Sequence, residues 1–204
     1  FKGHGVLVDA VSAEANSVST RLSQLMSFHP NITEWKRRYH LNTFLFNQMS
    51  RAVKTQLRQR SEEFNTLIQV GAWYNFSTYD FMKDKILCSY HDGNLAAQIK
   101  RTDSRYHLKT GYVRRAFEFE KSVYHGMDLI FPMSEWLRKL FIEDFECDPE
   151  KVVSVGAGIN LEYVPEIMDK DYSRPNILFI GIDFERKGGK TLLDAFKAVK
   201  KEIP

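Results

Sequence analysis

Five short apolar runs set the terms on which this chain can fold. They occupy residues 64–70, 85–90, 128–131, 151–155 and 176–180, none longer than seven residues. Gly71 stops the first, Asp92-Gly93 follows the second, and Gly156-Ala157-Gly158 ends the fourth, so each run reads as a strand closed by turn chemistry. Helix-length stretches lie between several of them. Short apolar strands alternating with helices predict an α/β architecture, a parallel sheet covered by helices on both faces.

The helices are read from spacing and caps. From Trp35 to Arg60 the spacing predicts one long helix: Leu45, Met49, Val53 and Leu57 recur every four residues, with Arg51, Lys54 and Arg58 on other faces. A second helix is expected over residues 111–124, with Val113, Phe117 and Tyr124 as its apolar side and Gly126 as its C′ residue. Ser134 is a good N-cap for a helix over 135–145, with Glu135 in the first turn where the dipole favours an acid. The fifth run and a helix over 191–201 form one strand–helix unit, too little to bury its own apolar faces. The expectation is a chain of two parts: residues 1–174 as a first domain, incomplete at its start, and residues 175–204 as the truncated beginning of a second.

Composition narrows the class. Hydrophobic residues make up 43% and charged residues 27% of the 204, which excludes a mainly disordered, collagen-like or coiled-coil chain. No run approaches the ~18 apolar residues of a membrane span. Cys88 and Cys147 are too few for a disulfide scaffold, and Cys88 sits in a strand-like run as a small buried hydrophobe, so a reducing, cytoplasmic setting is expected. The net charge of +3 is uneven: residues 1–60 carry nine Lys and Arg against three Asp and Glu. That asymmetry suggests a basic face near the start of the chain and argues against a nucleic-acid binder throughout.

Two phosphate loops are excluded by counting. Gly189-Lys190-Thr191 resembles the end of a P-loop, but Phe184 stands where its first glycine belongs. Gly3-His4-Gly5 and Gly156-Ala157-Gly158 both lack the third glycine of a dinucleotide fingerprint, having Val8 and Leu161 there. The six histidines are scattered without metal-ligand spacing. What survives is the run from Ile177 to Thr191, where an apolar strand ends at Gly181, a charged loop follows, and Gly188-Gly189 open a helix. Helix-start N–H groups with Arg186 and Lys187 beside them suit an anion such as a diphosphate. The plainer reading is a solvated turn.

Three ordered blocks between Ser134 and Phe196 carry a resemblance. They are Ser134-Glu135-Trp136-Leu137-Arg138 with Asp148-Pro149-Glu150-Lys151-Val152, then Val155-Gly156-Ala157-Gly158-Ile159-Asn160, then Ile180-Gly181 and Asp183-Phe184-Glu185-Arg186-Lys187-Gly188-Gly189 leading into Leu192-Leu193-Asp194-Ala195-Phe196. This pattern resembles family 4 of the retaining glycosyltransferases; residues 1–133 share only a strand–helix rhythm and Tyr90-His91-Asp92 at a strand end. The resemblance implies a GT-B fold, two Rossmann-like domains with acceptor and nucleotide-sugar sites facing across a cleft. The implied reaction moves a sugar from a nucleotide-diphosphate donor to a hydroxyl on a carbohydrate or lipid-linked acceptor, with retention and no obligatory metal. It implies donor-binding roles for Lys187, Arg186, Gly188 and Gly158, with Arg186 standing in for an arginine absent at Ile182, and a catalytic role for His91 near the transferred sugar. The family's paired glutamates would fall after Pro204, so no transferase activity is expected of these residues alone.

Read for itself, His91 is equally a satisfied histidine at a strand end. The basic stretch from Trp35 to Arg60 suits an anionic membrane surface, which would place the protein at the inner face of the cytoplasmic membrane, or it is a solvated helix. The rival functions are a non-catalytic nucleotide- or membrane-binding module and a GT-B hydrolase or epimerase of nucleotide-sugars.

Overall fold

The structure, a computed structural model, describes residues 7–101, 104, 106–158, 163, 166 and 176–202. It divides into two compact units, Phe1–Ile159 and Asn160–Pro204. The expected domain boundary at 174/175 and most of the residues leading up to it lie outside the described residues.

In the first unit three strands, β1 (Thr66–Val70), β2 (Ile86–His91) and β3 (Leu129–Pro132), form a parallel sheet in the order β1-β2-β3. Gln69 pairs with Ser89, Ser89 with Ile130, and His91 with Pro132. Three helices precede the sheet: α1 (Ser17–Met26), α2 (Ile32–His40) and α3 (Thr43–Gln59). Between β2 and β3 come α4 (Leu95–Ile99) and α5 (Gly111–His125), and α6 (Glu135–Glu143) follows β3. Ser134 caps α6 as its sequence position predicts, accepting from the Leu137 amide.

Because side chains alternate along a strand, register fixes the faces. Gln69, Leu87, Ser89, His91 and Ile130 point to the buried side, where the core lies against α3, α5 and α6. Aromatic residues fill it: Phe117 stacks on Phe145 at 4.4 Å and Tyr124 stands edge-on to Phe141 at 4.7 Å. Ile68, Val70 and Ile86, on the other side, are exposed. The expectation of helices on both faces is therefore met on one face only among the described residues. The β1–β2 connection holds a single 3₁₀ turn, Asp80–Met82, instead of a crossover helix that would cover the second face.

Four further expectations need correction. The long helix over 35–60 is two helices, because the Asn42 side chain accepts from the Phe44 and Leu45 amides and starts a new helix there. The fourth strand, 151–155, reduces to one bridge between Ile130 and Val152, although backbone bonds from Val153 to Ile130 and from Val155 to Pro132 continue its direction. Gly126 caps α5 in a right-handed conformation (φ −86°), so its glycine does not serve a left-handed cap. A Cβ there would collide with the Ser77 side chain, and close approach is what the position requires. The fifth run, 176–180, forms no strand, and Leu178 and Ile180 stand exposed. In the second unit α7 (Gly189–Glu202) begins two residues before the expected start.

Candidate functional site

The carboxyl edge of the sheet and the turn before α7 hold the residues singled out by the sequence. His91, the last residue of β2, does not present its ring at the surface. The ring is 2% exposed, edge-on to Tyr124 at 5.1 Å and tilted against Phe141 at 5.2 Å. Burial holds its pKa down to about 4, against the smaller upward pull of the Asp92 carboxylate, so the imidazole is neutral at ordinary pH. Its Nε2 meets no partner among the described residues, and neither do the buried Ser89 Oγ, Gln69 Oε1 and Asn94 Nδ2. Leaving such atoms unpaired costs roughly 1–3 kcal/mol each. At the end of β2 it is Asp92 that is exposed.

Glu120 is the residue here that sequence reasoning missed. It lies buried on α5, and its Oε2 accepts from the Leu95 amide and from the Tyr124 hydroxyl, both at 3.0 Å. Leu95 opens α4, and Asn94 caps that helix by accepting from the Ala97 amide at 2.8 Å. Glu120 thus ties the segment that follows His91 to α5. Burial raises its pKa to about 7, opposed by those two hydrogen bonds. The Tyr124 phenol is pushed upward, first by burial and then by the neighbouring carboxylate. A lone acid on an amphipathic helix carries no sequence signal for this role.

A cavity of about 290 Å³ is lined by Tyr39, Leu41, Phe46, Trp73, Gln98 and Tyr106, among others. Trp73 follows the carboxyl end of β1 and Gln98 lies on α4 after β2, the side on which open α/β sheets bind ligands. Its size is at the lower end for ligand pockets, and its aromatic walls with a few polar tips suit one ring-sized group. The only sequence signal was an aromatic pair, Trp73-Tyr74, just past a strand end.

In the second unit the turn before α7 is tightly built. Lys187 N–H donates to the Asp183 carbonyl, Gly188 N–H to Glu185 and Gly189 N–H to Phe184, at 2.8–3.0 Å. Gly188 has φ +82°, a left-handed conformation that costs a side-chain-bearing residue roughly 1–2 kcal/mol. A Cβ on Gly189 would run into the Phe184 ring, and one on Gly181 would crowd the Lys187 stem at 3.2 Å. Of the glycines that looked like a phosphate motif, Gly188 therefore serves a left-handed turn and Gly189 close packing against Phe184.

The charges differ in availability. Asp183 holds Arg186 through both its amide and its Nε, each at 3.1 Å. Lys187 and Lys190 form no ion pair among the described residues, and no acid stands in the first turn of α7. The amides of Lys190 and Thr191 likewise donate to no backbone carbonyl there. Ile182, where the family arginine would stand, is fully exposed. Arg186, Lys187 and Gly188 thus share one turn of the second unit. His91 and Gly158 belong to the first, Gly158 exposed with open space where a Cβ would sit.

No three metal-ligating side chains converge among the described residues. Among them, no helix is long and apolar enough to cross a membrane. Both cysteines are free and buried, and burial raises the Cys147 thiol to about 11. No family model, no curated protein and no solved structure matches this chain.

Proposed function

We propose that this chain acts in a retaining glycosyltransferase of the GT-B type, which moves a sugar from a nucleotide-diphosphate donor to a hydroxyl acceptor. The observation that carries the reading is the turn from Asp183 to Gly188. There Lys187 and Lys190 stand without ion-pair partners among the described residues, beside the open amides of a 14-residue helix. A departing nucleoside diphosphate gains negative charge, and cations with fixed N–H dipoles lower that barrier without a metal. Lys187 is the residue we assign to the diphosphate. Arg186 contributes its remaining guanidinium donors, and Gly188 lets backbone approach the donor.

The cavity lined by Trp73 and Tyr106 supports an acceptor with a ring that stacks on aromatic faces, as a carbohydrate does. His91, buried and neutral, fits a group that sets the position of the β2 end, with Glu120 fixing the segment after it. In Lys187→Ala, calorimetry with a nucleoside diphosphate should show affinity weakened roughly tenfold, the worth of one charge-assisted bond. Unchanged affinity removes the assignment. Release of free sugar at the same rate with and without acceptor would favour a hydrolase.

A further inference from the structure

Helix α1 is built inside out. Its buried stripe is Ser19 and Ser23, continued by Ser27, and polar bonds hold that stripe against α3 and the residue before it. Ser19 Oγ donates to Gln48 Oε1 at 3.4 Å, and Asn42 Nδ2 donates to the Ser23 carbonyl at 3.1 Å and to Ser27 Oγ at 2.7 Å. Its large apolar residues face outward instead: Val18, Leu22, Leu25 and Met26, spaced i, i+4, i+7 and i+8, with Val18 and Leu25 more than 70% exposed. Phe28 and Ile32 extend the same exposed set into the start of α2. Amphipathic helices of globular proteins put such a stripe in the core. Here the serines occupy that side, so the apolar stripe is left uncovered among the described residues.

Charge selects what that is. Arg21 lies between Val18, Leu22 and Leu25 on the helix surface, and Lys36 stands one turn after Ile32. Both are exposed and form no ion pair among the described residues. Residues 17–60 hold eight Lys and Arg against one acid, Glu34, whose carboxylate is occupied by Arg37, Arg38 and Tyr112. A second copy of the chain meeting this face through a two-fold axis would set like charges together. Anionic headgroups would pair with them while the apolar side chains enter the acyl boundary.

We propose that the outer face of α1, continued through Phe28 and Ile32, docks on an anionic lipid bilayer. Trp35, which the sequence suggested for such an interface, holds the two helices together. Its Nε1 donates to the Gln24 carbonyl at 2.9 Å and its ring meets Phe28 edge-on at 6.0 Å. The docking face depends on the fold of the first unit and stands whether or not the chain transfers a sugar.

Flotation with phosphatidylcholine vesicles, with and without roughly one-third phosphatidylglycerol, tests this. The full chain should float with the anionic vesicles and stay behind with the neutral ones, and high salt should release it. Leu25→Ser/Met26→Ser should lower partition by on the order of tenfold or more. Arg21→Gln and Lys36→Gln should each lower it about fivefold. All these side chains are exposed, and circular dichroism should be unchanged. Absence of flotation, equal flotation with neutral vesicles, or full binding by the serine double variant overturns the proposal. So does a wild-type dimer by light scattering that becomes monomeric in the serine variant, which would assign the face to self-association.

Discussion

The end of β2 and the turn before α7 treat charge in opposite ways. At the first, the ionisable groups His91 and Glu120 are buried, and burial moves both toward their neutral forms. At the second, lysines stand in solvent, and the backbone around them is closed by tight turns and glycine packing. The difference teaches what each region can contribute. The buried end stores stability that depends on pH and fixes geometry, whereas the turn offers charge and open amides at little cost in fold stability. Substitutions should therefore separate the two regions cleanly.

The largest effect is expected from the buried end. Phe141 is fully buried against His91, Tyr124 and Phe145, so Phe141→Ala should cost about 3–5 kcal/mol in urea unfolding. A cost below about 1 kcal/mol would mean this core is looser than described.

The pH dependence of stability comes next. Glu120, raised from 4.5 to about 7, contributes stability fully present below pH 4.5 and lost as pH rises through 7. His91, lowered from 6.5 to about 4, contributes stability present above pH 6.5 and lost as pH falls through 4. Each shift corresponds to about 3 kcal/mol, and between pH 4.5 and 6.5 the two slopes oppose each other. Glu120→Gln keeps an acceptor for Leu95 and Tyr124 and removes one slope. Its stability should climb with pH across that window while the wild type stays nearly flat, as followed by tryptophan fluorescence. Identical profiles would show that Glu120 binds its proton alike in the folded and unfolded chain, so that burial does not raise its pKa.

Smaller effects belong to the turn. Gly188→Ala should cost about 1–2 kcal/mol, through its positive φ alone, since a Cβ there meets nothing within 4 Å. Lys187→Ala should change stability by less than about 0.5 kcal/mol, as for a surface residue. If Lys187→Ala destabilised the chain as much as Phe141→Ala, the contrast between the two regions would fail.

Local signals made much of the scaffold legible. The three sheet strands, the Ser134 cap and α5 follow from apolar runs and capping chemistry visible in the sequence. The break at Leu41-Asn42 was legible too, because Asn42-Thr43 is a capping pair and the spacing-four pattern begins only at Leu45, inside α3. Strand pairing is the part that local sequence does not hold. Residues 151–155 and 176–180 have strand-like composition, yet pairing depends on what another segment offers their backbone. The inverted polarity of α1 was hidden for a related reason: an amphipathic pattern fixes two faces but does not say which one a neighbour with hydrogen-bonding groups will take. Lys187 is singled out by its motif alone, while the burial of His91 and the hydrogen bonds of Glu120 are properties of packing.

The central claim is that the turn and the start of α7 bind a diphosphate. Amide-resolved NMR, with a nucleoside diphosphate titrated into the full chain, tests it most directly. The account predicts saturable shifts concentrated at Gly188, Lys190 and Thr191, abolished in Lys187→Ala. Silent amides at those positions, or shifts appearing instead at the Trp73 indole of the first-unit cavity, would contradict it.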